Sequence, residues 1–397
     1  MTTTDDPHHP LYLDEADVRG ALTVAFDVCE GCRRCAEYCG AFPTLFDLLD
    51  RFGDRGAGNL TPDEQDRVVE GCFHCSACSI GCPYGPDRPD GELDLPRLMI
   101  RAEAMRVANT HTPGRQRLAT RAVARTAVFG RPGRVVASLC EAALSAVAGS
   151  SVRRVVGSTF GVRSVRRLPS RTNPRLSRRL ARRRPAAGEV DAGCVSVFPG
   201  CLVEYRSTQV GHDLVEVYER NGIECANAAA GCCGAPWLHN GHVDQFAWVA
   251  TANVRSLARQ IRDGGADIIV AEPTCGHVVK HEYVRHVDER SRGDAELVAQ
   301  HTFDASEYLM RLHAEGRLDT DFGGAAPERI TYLPAAHLLA QRIGEPAREL
   351  LELTGADVWG SDDGTRDAVV ASDASLAAET ATHPISIVAR AYGIDPA

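Results

Sequence analysis

Eight of the first 82 residues are cysteines in two runs of the same spacing, Cys29-x2-Cys32-x2-Cys35-x3-Cys39 and Cys72-x2-Cys75-x2-Cys78-x3-Cys82-Pro83. Three thiolates at intervals of three residues wrap one corner of a cuboidal iron–sulfur cluster, and the fourth thiolate of such a run ligates the other cluster. The runs therefore predict two [4Fe–4S] clusters. One rests on Cys29, Cys32, Cys35 and Cys82, the other on Cys72, Cys75, Cys78 and Cys39. Zinc motifs favour C-x2-C pairs over triplets, and buried free thiols have no reason to repeat a spacing. The expectation is an electron carrier.

With 397 residues and 44% apolar content, the chain has room for two or three domains with real cores. Fifteen cysteines would suit a secreted disulfide scaffold, but the polar, acidic start MTTTDDPHHPLYLDEADVRG has no signal-peptide core. The expected location is a reducing cytoplasm. The longest apolar candidate, Val135 to Gly149, is too short to span a bilayer and is interrupted by Glu141. The net charge of −9 conceals an asymmetry: residues 107–187 hold eighteen arginines and one acid, about +17, which leaves about −26 elsewhere. Lys280 is the only lysine.

Three regions follow, for an α+β protein overall. Residues 1–106 form an α-helical domain of ferredoxin-like character, with helices expected at Thr44–Arg51, Thr61–Glu70 and Leu95–Arg106. Residues 107–187 form a basic connector with helical spacing in Leu118–Val128 and Val135–Val147. Residues 188–397 read as α/β. Strands are expected at Cys194–Phe198, Ile223–Ala226 and Asp267–Ala271, and helices at Thr208–Asn221, Asp244–Asp263 and Cys275–His286, packed on a mainly parallel sheet. This last region looks duplicated, with a first half at 190–325 and a second at 326–397. The strand-and-turn Ser196-Val-Phe-Pro-Gly-Cys201 is echoed in Ile330-Thr-Tyr-Leu-Pro-Ala335.

A second thiol constellation lies in the α/β region: Cys201, then Cys232-Cys233-Gly234, then Cys275. All four stand where strands hand over to helices, the end of an open sheet where ligands gather. Gly231 and Gly234 flank the adjacent pair and permit a sharp bend. Four converging thiolates suit a third [4Fe–4S] cluster or a zinc ion. Glu272 and His277 are the neighbouring candidates.

On these residues the chain resembles the cysteine-rich CCG module joined to a two-cluster ferredoxin-like domain. That combination occurs in heterodisulfide reductase subunits and in the iron–sulfur subunits of anaerobic glycerol-3-phosphate dehydrogenase and glycolate oxidase. The resemblance rests on both cysteine runs, Gly200-Cys201 with Tyr205, Gly211-His212-Asp213-Leu214, Cys232-Cys233-Gly234-Ala235-Pro236 and Pro273-Thr274-Cys275, with His337 to Gly344 like the start of a second module. It looks closest to a branch associated with rubrerythrin. It implies passage of electrons between a flavoprotein or other catalytic subunit and a quinone or disulfide acceptor. Glu272 stands where the family has a further cysteine. The second half is degenerate: Ala336, Ser361 to Gly364 and Ala374 occupy expected thiol positions, and no cysteine follows Cys275.

Other side chains read more plainly. Cys140, Cys194 and Cys225 are expected in cores. His74, inside the second run, is expected to be a partly exposed loop residue, with hydrogen bonding to sulfur as the functional alternative. His212 follows a glycine at a helix start. His239 and His242, with Trp237 just after the CCG turn, either line the site or face solvent. The basic connector lacks a nucleic-acid motif, so no specific nucleic acid is expected. It suits self-pairing, an acidic partner or an anionic membrane surface on the inner face of the cell membrane.

The resulting expectation is a non-catalytic iron–sulfur subunit of a larger oxidoreductase. It would relay electrons between a flavin dehydrogenase, hydrogenase or rubrerythrin-type partner and a second acceptor such as membrane quinone. The alternatives are a free-standing heterodisulfide-reductase-like enzyme acting at the CCG site and a non-redox metal-binding assembly protein.

Overall fold

A computed structural model describes residues 5–36, 39–52, 56–86, 91, 93–109, 176–177, 180, 193–205, 207–360, 368–372 and 381–394. The expected connector helices, Cys140, Ser361 to Gly364 and Ala374 lie outside them. Among the described residues no helix is long and apolar enough to cross a membrane.

The N-terminal region is helical. Helix α1 (Glu15–Cys32) starts at Asp14, whose carboxylate accepts the Asp17 amide, and buries Val18, Ala21, Leu22, Ala25 and Phe26 along one face. Its last turn carries Cys29 and Cys32. Arg33 ends it in the left-handed conformation and donates its amide to Cys29 O at 2.8 Å. Helix α2 (Phe42–Leu49) follows the first cysteine run. Helix α3 (Pro62–Glu70) opens with a capping box between Thr61 and Glu64. The short α4 (Ala77–Ile80) carries Cys78, and α5 (Leu95–Asn109) closes the bundle. One core joins Leu22, Phe26, Leu45, Leu49, Val68, Met99 and Met105. Arg101 of α5 is 1% exposed. It donates to Tyr12 O (2.8 Å), Leu11 O (2.6 Å) and the Asp17 carboxylate (2.5 Å), so its buried charge is fully engaged.

The C-terminal region holds two parallel sheets. The first has strands β1 (Cys194–Phe198), β2 (Glu224–Asn227), β3 (Asp267–Val270) and β4 (Thr302–Asp304) in the order β2-β1-β3-β4. The second has β5 (Arg329–Leu333), β6 (Asp357–Trp359) and β7 (Ala368–Ala371) in the order β6-β5-β7. Its order matches that of the first three strands of the other sheet.

Alternation along the strands of the first sheet builds two cores. Val195, Val197 and Ile269 face the helix Thr208–Arg220 and the C-terminal helix Pro384–Ala391. Phe198, Ile268 and Val270 face the helix Val243–Gly264 and, through it, the helix Glu289–Gln300.

The expected helix Cys275–His286 is not one helix. It runs Pro273–His277, then a π-helical turn Val278–Glu282, then Tyr283–His286. A single π turn adds a residue to the spiral and rotates the turns after it, a device frequent beside functional sites. Cys225 is buried as expected, but Cys194 is exposed. It occupies the first position of β1, where the strand emerges and the pleat points it outward.

Candidate metal centres

The first cysteine run spans the end of α1 and the loop after it, and the second spans the loop around α4. The structure brings the runs together crosswise. Cys29, Cys32, Cys35 and Cys82 line one pocket with Cys78, closed by Phe46 and Tyr84. Burial pushes the Cys29 thiol up to about 12, and the facing Cys35, Cys82 and Cys32 push in the same direction. Burial raises Cys72 to about 12, helped by Cys39 and Cys75. Burial raises Cys78 as well, and Cys72, Cys39 and Cys35 add to it in that order. Cys82 thus sits with the first run and Cys39 with the second. Mutual repulsion of this kind keeps the thiols protonated in the free chain, and a cationic centre reverses it.

His74 is buried, not loop-exposed, at 8%. Its φ of 51° places it in the left-handed region, which costs a non-glycine residue roughly 1 kcal/mol or more. That conformation points its amide at Cys72 Sγ (3.4 Å) and its carbonyl at His337 Nε2 (2.9 Å).

The second constellation lies at the C-terminal ends of β1, β2 and β3, beside the point where the strand order reverses. Cys201 sits in the short helix Gly200–Tyr205 after β1, Cys232 and Cys233 in the turn after β2, and Cys275 in the helix after β3. Cys275 and Cys233 sulfurs are 3.2 Å apart. A hydrogen bond to Cys232 raises the Cys201 thiol, with burial, Cys232 and Glu272 adding to it. The Cys233 contact favours the Cys275 thiolate, but burial, Cys201 and Glu272 outweigh it and hold that thiol near 11. Glu272, itself 3% exposed, therefore faces the thiols.

Gly200, at φ +58°, is where the chain passes closest: a Cβ there would stand 3.0 Å from Cys275 Sγ. Of the two glycines flanking the pair, only Gly234 (φ +91°) takes a conformation denied to other residues. A buried network pins the turn from below. Asn253 Nδ2 donates to Cys232 O (2.9 Å) and Tyr283 Oη (2.8 Å), Tyr283 Oη donates to Cys233 O (2.9 Å), and Asn253 Oδ1 accepts the Gly231 amide (3.3 Å). Neither Asn253 nor Tyr283 is visible as a site residue from its own sequence context.

Among the described residues no three His, Cys, Asp or Glu side chains already close on a single ion. The CCG thiols are chained sulfur to sulfur, whereas Cys29, Cys32, Cys35, Cys78 and Cys82 line a pocket. A zinc ion, with sulfurs about 2.3 Å away, draws its ligands tightly inward, whereas a cuboidal cluster interposes iron and sulfide between them. The donor sets, all sulfur and four per site, fit either a zinc ion or a cuboidal cluster.

Of the histidines singled out, His74, His239 and His277 join His337 and His281 in a row of ring contacts, the first two contacts stacked and the last two tilted. His74 lies 5.3 Å from His239, His239 6.0 Å from His337, His337 5.1 Å from His277 and His277 5.0 Å from His281, centroid to centroid. His277 thus belongs to this row, and its Nδ1 is buried without a hydrogen-bond partner among the described residues. His242 precedes the helix Val243–Gly264 and meets Trp237 edge-on, while His212 is buried inside the helix Thr208–Arg220.

Residues 195–280 match the cysteine-rich domain family CCG, so a CCG domain is present. The chain is also similar to oxidoreductase subunits. It is 31% identical over 127 residues to a subunit of the anaerobic glycerol-3-phosphate dehydrogenase of Escherichia coli (strain K12), covering 31% of this chain and 30% of that one. It is 29% identical over 156 residues to a subunit of the fumarate reductase (CoM/CoB) of Methanothermobacter marburgensis, covering 39% and 28%. Lactate utilization protein A of Geobacillus thermodenitrificans is 28% identical over 171 residues, covering 41% and 66%. The similarity thus spans less than two thirds of each of these relatives. No solved structure matches the chain significantly.

Proposed function

We propose that this chain is the electron-relay subunit of a larger oxidoreductase, holding two [4Fe–4S] clusters in its helical region and a third at the CCG site. The crossing of the cysteine runs carries the reading: each fourth thiol stands with the other run, as two shared clusters require. Cys29, Cys32, Cys35 and Cys82 would hold the first and Cys72, Cys75, Cys78 and Cys39 the second. Cys201, Cys232, Cys233 and Cys275 would hold the third, with Glu272 beside it and His277 turned toward the row of histidines. Bound clusters supply one-electron chemistry. The protein's own contributions are burial, amide donors on sulfur such as that of His74, and exclusion of water. The similarity to subunits of oxidoreductases favours a relay over a free-standing enzyme. The donor and acceptor are a flavin dehydrogenase, hydrogenase or rubrerythrin-type partner and a second carrier such as membrane quinone, reached through residues 107–187. The second sheet, with its matching strand order and no thiols, is read as a degenerate repeat of the first.

Metal analysis of anaerobically purified chain tests this. About 12 iron with matching sulfide and no zinc is the expected result. About 8 iron with one zinc would restrict the relay to the helical region, and little iron after reconstitution would refute the reading.

A further inference from the structure

The thiol sites of the helical region and of the CCG domain come from separate parts of the fold, yet one imidazole touches both. His337 is the second residue of the short helix Ala336–Ala340 that follows β5, a strand of the sheet that has no cysteine. Its Nε2 lies 2.9 Å from the carbonyl of His74, between Cys72 and Cys75. Its Nδ1 lies 3.1 Å from Oγ1 of Thr274, the residue before Cys275. The chemistry of the partners fixes the protons. A carbonyl only accepts, so Nε2 carries hydrogen, and the neutral ring then accepts the Thr274 hydroxyl proton at Nδ1. One further bond completes the line, since the His74 amide donates to Cys72 Sγ at 3.4 Å. Three hydrogen bonds and the intervening covalent bonds thus join the sulfur of Cys72 to that of Cys275.

The backbone supports the same point. His74 holds a left-handed conformation, φ 51°, that only its surroundings can stabilise. That conformation is what directs its amide inward to Cys72 and its carbonyl outward to His337. His337 is itself buried, 8% exposed, and the same ring stacks on His239 and meets His277 at a tilt of 38°. A residue retained only to fill the gap would need neither bond.

We propose that His337 is a positioning residue that ties the second cysteine run to the CCG site, holding both loops in register and providing the hydrogen-bonded path that couples them. The inference rests on the relay reading above and names the residue that connects its two parts. In each transfer one electron leaves the side of Cys72 and arrives on the side of Cys275, or the reverse. No bond is made or broken, and each proton stays on its donor.

Two measurements test it. In the metal-free full chain with 15N-labelled histidine, the His337 ring is expected to show protonated Nε2 and bare Nδ1. The opposite tautomer would overturn the proposal, and this result needs no metal. In the iron-loaded chain, electrons introduced by flash photoreduction should redistribute between the helical region and the CCG site. H337F, which keeps an aromatic ring and removes both bonds, is expected to slow that redistribution by about tenfold or more at unchanged iron content. H337Q, with both a donor and an acceptor, should recover most of the rate, and T274V, which removes one bond, should fall between. An unchanged rate in iron-replete H337F, or in T274V should H337F fail to fold, overturns the proposal. Failure of the wild-type chain to bind iron would instead sink the relay reading, and is distinguished from the other failures by metal content alone.

Discussion

Asn253 offers a direct test of how the CCG turn is held. Its side chain, 7% exposed, makes hydrogen bonds to Cys232 O, Tyr283 Oη and the Gly231 amide. In N253A the buried Cys232 carbonyl is left without its donor, which costs about 1–3 kcal/mol, and the other two bonds contribute about 1 kcal/mol each. The expected loss is about 3–5 kcal/mol. Because Tyr283 shares the network, Y283F should cost less alone, and the double variant should cost less than the two together by about 0.5 kcal/mol or more. The assay is urea unfolding of the metal-free chain followed by tryptophan fluorescence. All three tryptophans, Trp237, Trp248 and Trp359, lie in the C-terminal region, so the signal reports that region alone. A loss below about 0.5 kcal/mol, the scatter of ordinary surface changes, or strict additivity would refute the network.

Three further outcomes are expected. R101M removes a buried charge engaged by Asp17, Tyr12 and Leu11, and should destabilise the helical region by about 3 kcal/mol in far-UV circular dichroism; an unchanged urea midpoint would contradict it. Burial holds the Asp304 carboxyl up to about 6 against an ordinary value near 3.8. Between those pH values the folded state binds more protons, so stability falls as pH rises through the window, by up to about 3 kcal/mol. D304N keeps an acceptor for the Ser306 amide and should flatten that slope in the tryptophan assay; equal slopes would refute the assignment. G200A must adopt a positive φ and crowd Cys275 Sγ, so CCG-site metal should be lost while iron in the helical region stays, as read by iron and sulfide analysis.

Much of the C-terminal fold was legible because its periodicities are strong. β1 falls on the expected Cys194–Phe198, and the helices Thr208–Arg220 and Val243–Gly264 end within one residue of the expected Asn221 and Asp263. The short strands β4, β6 and β7 span three or four residues, too few for alternation to show. Helix α1 was not anticipated, although Val18, Leu22, Ala25 and Phe26 recur at helical spacing, because its final turn already belongs to the cysteine motif. The four CCG thiols were legible from their strand ends. The row of histidines was not, since its members come from residues 74, 239, 277, 281 and 337 and meet only once two sheets and a helical region are assembled. The burial of His74 and the exposure of Cys194 likewise depend on tertiary placement, which local pattern does not encode.

The bond from His337 to the carbonyl of His74 also sets a timetable. On a ribosome the two cysteine runs emerge first, and domains fold from the N-terminus as synthesis proceeds. The residue that fastens the second run emerges more than 260 positions later, attached to a sheet that must itself form before its helix can dock. Until then the left-handed turn at His74 lacks its outer hydrogen bond. The turn at His74 therefore reaches its final hydrogen-bonded form only after the C-terminal part of the chain has folded.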